Sequence, residues 1–262
     1  MIIYENRMSY FRHLIFGLNA IMLIDFRNKT EFPGWELAPE FLSKLISTYG
    51  IKNVLEIGSG ANPTLDAKEI AALGVNYTTN DLSAEELKKA PRIFKTWQSD
   101  LCDVDAVKNH TAKYDLIFSR MVNEHIKDGK IYYSNIFKLL EPGGITAHCF
   151  STLYAFPFVA NKIFPEKLSD KLLDIFNPRD RYQHEKFPAY YSWSRGPSKK
   201  SIKKFTGLGY EIKEYVGYFG HSYYRKRLSL LHKFEERKSN YLVKNPSSFF
   251  TSYAHIILKK PE

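Results

Sequence analysis

Residues 54–63 of this 262-residue chain read VLEIGSGANP, and they decide the fold. A strand-like apolar run ends at Glu56, and Gly58 and Gly60 follow on either side of a serine. Glycines at a strand end allow a tight turn and let a ligand approach the bare backbone. In a nucleotide-binding sheet this junction lies at the carboxyl edge, where ligands bind. The stretch therefore predicts a ligand site.

Two familiar phosphate-binding loops do not fit this stretch. The dinucleotide fingerprint requires a third glycine five residues after Gly58, where the chain has Pro63, preceded by Asn62. A Walker-type lysine does not follow the glycines either. The acid at the strand end instead indicates a ligand with a positive or hydroxyl-bearing group.

Composition predicts a soluble cytoplasmic protein. The chain is 44% hydrophobic and 25% charged, and its length suits one large domain. Cys102 and Cys149 lack a paired spacing, which argues against a disulfide framework or a zinc site, so we expect no metal. Residues 14–24 are apolar but too short to span a bilayer, and we interpret them as a buried N-terminal helix rather than a targeting segment.

The net charge of +10 allows three kinds of partner: nucleic acid, a membrane surface or an anionic small substrate. The lysines are spread along the chain, and zinc-finger, RRM and basic-heptad signatures are missing, which disfavours nucleic acid. One stretch, YYRKRLSLLHKFEERK (223–238), is basic and partly amphipathic. It suits a membrane surface or an ordinary surface helix, and its pair Glu235 and Glu236 favours the latter.

Strand-like and helix-like segments alternate from residue 38 to residue 150. The predicted strands are 52–57, 75–80, 93–98, 114–119 and 145–150, and the predicted helices are 38–49, 63–74, 83–90, 103–110 and 127–144. Ser83 should cap its helix, with Glu86 in the capping-box position. The alternation predicts an α/β fold with a mostly parallel sheet and helices on both faces. A helix at 198–209, a strand at 210–219, a helix at 224–240 and a strand at 252–260 follow an irregular stretch.

Four blocks together resemble the class I S-adenosylmethionine-dependent methyltransferases. They are VLEIGSG (54–60), NDLS (80–83), SDL (99–101) and YDLIFSRMVNEHI with LLEPGGI (114–126 and 139–145). The resemblance implies a Rossmann-like, doubly wound, seven-stranded sheet with an antiparallel last strand, and S-adenosyl-L-methionine as cofactor. It also implies one domain over residues 1–262, with an N-terminal helical lid (1–50), a cofactor-binding core (51–150), a substrate-cap insertion (151–200) and a C-terminal part that completes the sheet (201–262).

The resemblance also implies a cofactor site. The loop of Glu56, Gly58, Ser59 and Gly60 would approach the methionine portion, with Glu56 facing its ammonium directly or through water. Asp81, beside Leu82, would accept the ribose hydroxyls, although it could instead only cap the next helix. Asp100 would accept from the adenine amine while a neighbouring apolar group, with Leu101, covers the ring, although Asp103 or Asp105 could fill this short motif instead. Ser119 with Arg120 would line the pocket mouth.

Methyl transfer from a sulfonium is an in-line displacement, so the protein must chiefly align the acceptor and exclude water. A hydroxyl acceptor also benefits from a general base. His125 is the first candidate base, although in relatives a histidine here often has a structural or cofactor-side role. Asn123 departs from the relatives' pattern and is a candidate to hydrogen-bond the acceptor.

The cap contributes candidate acceptor-binding residues. Arginine forks bind phosphate or carboxylate, and aromatic rings stack on bases or sugars. The candidates are Arg179, Arg181, His184, Tyr190 and Arg195. They suggest O-methylation of a small anionic metabolite, phosphorylated or nucleotide-activated, such as a precursor of a surface polysaccharide or capsule. A basic solvated loop anchored by aromatics is the plainer alternative.

Two other functions remain open from the sequence. An RNA methyltransferase would use the positive charge on a polymer, but SRMV (119–122) stands where an Asn/Asp-Pro-Pro-aromatic motif would follow the fourth strand. A cofactor-binding relative without catalytic activity would keep the same cofactor residues.

Overall fold

The computed structural model describes residues 24–108, 111–153, 188–222, 224–225 and 228–262. The strands in these residues are β1 (Ile24–Asn28), β2 (Asn53–Ile57), β3 (Asn76–Asp81), β4 (Lys95–Gln98), β5 (Tyr114–Arg120), β6 (Leu140–Ser151), β7 (Glu211–Phe219) and β8 (Thr251–Lys259). They form one sheet in the order β1-β7-β8-β6-β5-β2-β3-β4. Strand β8 runs antiparallel to both of its neighbours, and every other pair is parallel.

Helices cover the sheet on both faces. They are α1 (Ala38–Tyr49), α2 (Ala67–Leu73), α3 (Ala84–Lys89), α4 (Gly129–Leu139), α5 (Lys199–Thr206) and α6 (Ser229–Lys244). Neighbouring residues of β5 point to opposite faces, so Phe118 packs with Leu42 of α1 in one core, and Ile117 packs with Ile136 of α4 in the other. This arrangement confirms the doubly wound α/β class.

The eighth strand, β1, departs from the seven-stranded sheet and the N-terminal helix that the sequence predicts. Its charges Asp25 and Arg27 look like the end of an apolar helix, but β1 is an edge strand paired to β7, where charges are tolerated. Arg27 bridges Asp25 at 2.7 Å and Glu214 of β7 at 3.4 Å. Phe26 stacks on Phe219 with ring centroids 5.6 Å apart. The rest of the predicted N-terminal helix, residues 14–23, lies outside the described residues.

Three local predictions need correction. Residues 103–108 form turns rather than a helix, because the Asp103 side chain accepts from the backbone N–H of Asp105 and draws the chain into a turn. Ser83 caps α3 as predicted, but Glu86 pairs with Lys89 and does not complete the box.

The third correction concerns the end of α4. This helix stops at Leu139, and β6 begins at Leu140. The Pro-Gly-Gly sequence then makes an irregularity within β6, since Tyr114 pairs with Leu140 while Leu116 pairs with Ile145. The extra residues of β6 are accommodated as a bulge, so the turn predicted to separate helix from strand lies inside the strand.

Candidate active site

The carboxyl ends of β2, β3 and β5 meet at one edge of the sheet, and the glycine loop after β2 fills the space between them. The backbone N–H of Gly58 donates to the Asn80 carbonyl of β3 at 2.8 Å, and Ser59 N–H donates to it at 3.2 Å. Gly58 has a φ of +69°, and a Cβ built on it would stand 2.4 Å from a methyl of Val122 after β5. The loop therefore requires glycine here, both for conformation and for space.

Gly60 brings the same loop against Asp81 at the end of β3. Its φ is +46°, and a Cβ at this position would stand 2.9 Å from Asp81 Oδ2. Asp81 Oδ1 accepts from the Ser83 N–H at 2.9 Å, so one oxygen starts the turn into α3. Oδ2 accepts no hydrogen bond from the residues that the structure describes. The neighbouring Leu82 is 59% exposed. The glycine loop therefore lies directly against this acid.

Glu56 is buried beneath the glycine loop rather than on its surface. Its carboxylate accepts from the backbone N–H of Thr64 at 2.9 Å, from the Thr64 hydroxyl, and from the Tyr77 phenol at 2.7 Å. Burial raises the pKa of Glu56, while the donors of Thr64 and Tyr77 and the charge of Arg120 oppose that rise. The carboxylate therefore ties the loop to β3, and its role toward a cofactor ammonium stays a prediction.

Asp100 and Leu101 follow β4 at the same edge. Asp100 is exposed, and its Oδ1 accepts from the Cys102 N–H at 2.8 Å. The Leu101 side chain is buried in the core on the α4 side, and Asn135 of α4 donates to its carbonyl at 3.1 Å. Their predicted roles toward an adenine remain untested predictions.

Ser119 and Asn123 belong to a buried polar network under the turn after β5. Ser119 Oγ donates to Asn123 Oδ1 at 3.1 Å and lies 2.6 Å from His148 Nδ1, and the Asn123 amide donates to the Tyr133 phenol at its other end. Because both ends of this amide bind within the protein, the geometry favours a positioning role for Asn123 over acceptor binding.

His148, in the middle of β6, was not singled out from the sequence. Its Nε2 lies 2.7 Å from the hydroxyl of Thr146, which itself donates to the Ile117 carbonyl at 2.9 Å. Burial lowers the pKa of His148 to about 3, so the ring is neutral near pH 7. A histidine within an apolar strand sequence gives no signal of such a network, because its partners come from neighbouring strands.

His125 lies in the short 3-10 turn Asn123–His125, half-buried at the carboxyl edge. Its Nδ1 lies 3.0 Å from the Pro188 carbonyl oxygen, which can only accept, so Nδ1 carries the hydrogen and Nε2 is the basic nitrogen of the neutral ring. The carbonyl of Glu124 accepts from the N–H groups of Tyr190 and Tyr191 at 2.8 and 3.1 Å. The end of the predicted cap is therefore fastened to this turn.

Two predicted cap residues are described and three are not. Tyr190 is 41% exposed beside the turn after β5. Arg195 is exposed, and its Nε donates to the Tyr191 carbonyl at 3.1 Å. Arg179, Arg181 and His184 lie outside the described residues.

A cleft of about 370 Å³ opens beside the glycine loop. It is lined by Ala61, Asn62, Pro63, Thr64, Leu65, Asp66, Ala67, Pro91, Phe94 and Arg120. Arg120, at the end of β5, is half-buried, and its charge acts on the buried Glu56 below. The cleft thus brings one cation, Arg120, and one acid, Asp66, to the loop that follows the glycines. Within the described ranges there is no group of three His, Cys, Asp or Glu side chains placed to bind a metal ion. In the same ranges no helix is long and apolar enough to cross a membrane.

Two solved proteins share the fold at low identity. Phosphoethanolamine N-methyltransferase 2 from Haemonchus contortus, in complex with S-adenosyl-L-methionine, is 16% identical with a TM-score of 0.51. The match covers 90% of this chain and 54% of that enzyme, so the chain spans about half of the enzyme's length. The MccD protein is 12% identical with a TM-score of 0.51, over 87% of this chain and 98% of its own. No curated protein matches the sequence.

A family model described as a methyltransferase domain matches residues 28–190, which is more than half of the chain and includes the glycine loop, Asp81 and the turn after β5. The chain belongs to this family, and its kinship to the class I S-adenosylmethionine-dependent methyltransferases is confirmed.

Proposed function

We propose that the chain binds S-adenosylmethionine across the carboxyl ends of β2 and β3 and transfers its methyl group to an oxygen of a small anionic acceptor. The close approach of Gly60 to Asp81, where a Cβ on the glycine would stand 2.9 Å from Oδ2, carries the cofactor part of this proposal. The glycine backbone there lies beside Asp81 Oδ2, which accepts no hydrogen bond from the described residues. A ribose diol supplies the donors that such an oxygen needs.

The proposed acceptor atom is a hydroxyl oxygen, and His125 is the proposed base. The hydrogen bond to Pro188 orients the ring and holds the hydrogen of the neutral ring on Nδ1, which makes Nε2 its basic nitrogen. Removal of a proton by a positioned side chain contributes about 10²- to 10⁴-fold to such a rate. The proton of the acceptor would pass to Nε2 as its oxygen attacks the methyl carbon and the sulfonium leaves as a neutral thioether.

The proposed acceptor is anionic, either phosphorylated or nucleotide-activated, with a polysaccharide precursor as one instance. Two cations support this class: Arg120 in the cleft, and Arg195 in the segment fastened to the turn after β5. The Haemonchus contortus enzyme has also been solved with phosphomonomethylethanolamine and S-adenosylhomocysteine, at 15% identity and a TM-score of 0.51. The fold thus accommodates a phosphorylated small acceptor in one of its members.

Titration calorimetry with S-adenosylhomocysteine tests the cofactor site. Asp81→Asn keeps an oxygen for the Ser83 N–H but weakens acceptance of a ribose diol, so we expect affinity to fall about tenfold (about 1.4 kcal/mol). Asp25→Asn is the matched control, because Asp25 also accepts a backbone N–H but lies on the edge strand β1, away from the glycine loop. Equal affinities for wild type and Asp81→Asn would remove Asp81 from the ribose site.

Methyl transfer to paired phosphorylated and dephosphorylated metabolites tests the acceptor class. The proposal expects transfer only to the phosphorylated member of a pair, with the methyl on oxygen in the product. Transfer to RNA that collapses as salt rises would indicate a nucleic-acid enzyme instead. Tight cofactor binding with no transfer to any pool would indicate a binding protein without catalytic activity.

A further inference from the structure

Helix α6 presents apolar side chains to solvent and polar ones to the protein. Leu230, Phe234 and Tyr241 are 82%, 65% and 64% exposed. At 3.6 residues per turn these three residues lie within about 40° of one another, so they form a single stripe along the helix. The inward face contains Glu235, Ser239 and Leu242, all buried. This reverses the usual pattern of a surface helix, in which the apolar face is buried.

Cations border the apolar stripe. Lys233, Arg237 and Lys244 are exposed, and the helical repeat places all three along one side of the stripe. Just before α6, Arg225 is exposed, and Lys226 and Arg227 follow it in the sequence. An apolar stripe beside a row of cations is the pattern of a helix that lies in the interface of an anionic bilayer.

The acids of α6 do not oppose such binding. Glu235 is buried, bridging Lys238 at 2.6 Å and lying 3.7 Å from His221. Glu236 lies 3.4 Å from His232, away from the centre of the stripe. The acidic pair that favoured an ordinary surface helix in the sequence is therefore directed away from the apolar surface.

We propose that the outer face of α6, formed by Leu230, Phe234 and Tyr241 with Lys233 and Arg237, docks on the surface of an anionic lipid bilayer. A second copy of the chain suits this face less well. An isologous dimer would bring the same stripes together, and with them the like charges that border each one. Lipid phosphates and carboxylates instead complement these cations while the headgroup region takes up the rings and the leucine.

Flotation of the full chain with vesicles tests this proposal. We expect binding to vesicles with about 30% phosphatidylserine, and at least tenfold less to pure phosphatidylcholine. Leu230→Ser with Phe234→Ser should weaken binding about tenfold or more, because it removes most of the apolar contact. Lys233→Glu with Arg237→Glu should weaken it by a similar factor and reduce its salt dependence.

Two controls keep the result specific. Ile93→Ser removes an apolar side chain that is 63% exposed elsewhere, and Lys199→Glu with Lys200→Glu reverses two exposed charges on α5. Both should leave vesicle binding unchanged, and unchanged melting temperatures should show that the variants are folded. No binding of wild type to anionic vesicles would overturn the proposal. A dimer in solution that the Leu230 and Phe234 changes dissociate would also overturn it, in favour of a second copy.

Discussion

The phenol of Tyr77 donates a 2.7 Å hydrogen bond to the buried carboxylate of Glu56 and so joins two neighbouring strands beneath the glycine loop. Thr64 supplies the other two donors from the far end of that loop. The carboxylate therefore fixes the shape of the loop between residues 56 and 64. This explains an acid at a strand end without requiring that it reach the ligand.

The Tyr77→Phe variant measures this contribution. It removes one hydrogen-bond donor from the buried Glu56 carboxylate, so we expect the free energy of unfolding to fall by about 2 kcal/mol. Urea unfolding at pH 7 gives the value. Tyr241→Phe, at an exposed position on α6, should change stability by less than about 0.5 kcal/mol. Equal stability of Tyr77→Phe and wild type would show that the bond contributes nothing.

Gly58→Ala tests the need for bare backbone in the loop. Gly50, the C-cap of α1, has a φ of +62° and open space around its Cβ position, whereas the Cβ of Gly58 would meet Val122. Both alanines should cost about 1–2 kcal/mol in left-handed strain. Gly58→Ala should in addition weaken S-adenosylhomocysteine binding about tenfold or more, since the loop must move away from Val122. Calorimetry on the two variants separates strain from contact, and equal losses of affinity would contradict this interpretation.

His148 makes stability depend on pH in a defined direction. Its pKa is lowered to about 3 in the fold from 6.5, so the unfolded chain binds the proton first as pH falls. The stabilisation is complete above pH 6.5 and is lost toward pH 3, at up to about 1.4 kcal/mol per pH unit.

The His148→Gln variant isolates the part of the pH-dependent stability that His148 causes. Between pH 6.5 and 4.5 it should lose about 2–3 kcal/mol less of its unfolding free energy than wild type. The comparison with wild type is needed because two buried carboxyls have the opposite effect. Burial raises the pKa values of Glu56 and Glu124, so their contribution to the unfolding free energy falls as pH rises above 4.5. Parallel stability curves for the two proteins would show that His148 is protonated in the folded state.

The meeting of the glycine loop and Asp81 at one edge of the sheet was predictable from the sequence, because both lie at the ends of neighbouring strands. Gly58 and Gly60 come within three residues of the end of β2, Asp81 is the last residue of β3, and parallel strands bring their carboxyl ends together. The interior partners were not predictable, because Thr64 reaches Glu56 from within a loop and His148 meets Ser119 through the register of β5 and β6.

The edge strand β1 and the exposure of the apolar stripe of α6 could not be predicted from the sequence for a related reason. The charges of β1 suggest the end of a helix, and only the pairing with β7 shows that they lie on an edge strand. In α6 the sequence pattern shows an apolar and a polar side, but packing decides which side faces the protein. Here Glu235 and Ser239 are buried, and Phe234 is exposed.

His125→Asn tests the proposed base while preserving its anchor. An asparagine amide can still donate to the Pro188 carbonyl, as His125 Nδ1 does, but it cannot take a proton. With an acceptor identified by the phosphorylated pairs, we expect kcat to fall about 10²-fold or more, with S-adenosylhomocysteine affinity unchanged. We expect the rate of wild type to fall toward low pH, where a general base is protonated, and this fall to be absent from the variant. His232→Asn on α6 is the matched control and should keep the wild-type profile. If His125→Asn retained both kcat and its pH dependence, the ring would serve only to fasten the segment at Pro188, and the acceptor oxygen would react without a protein base.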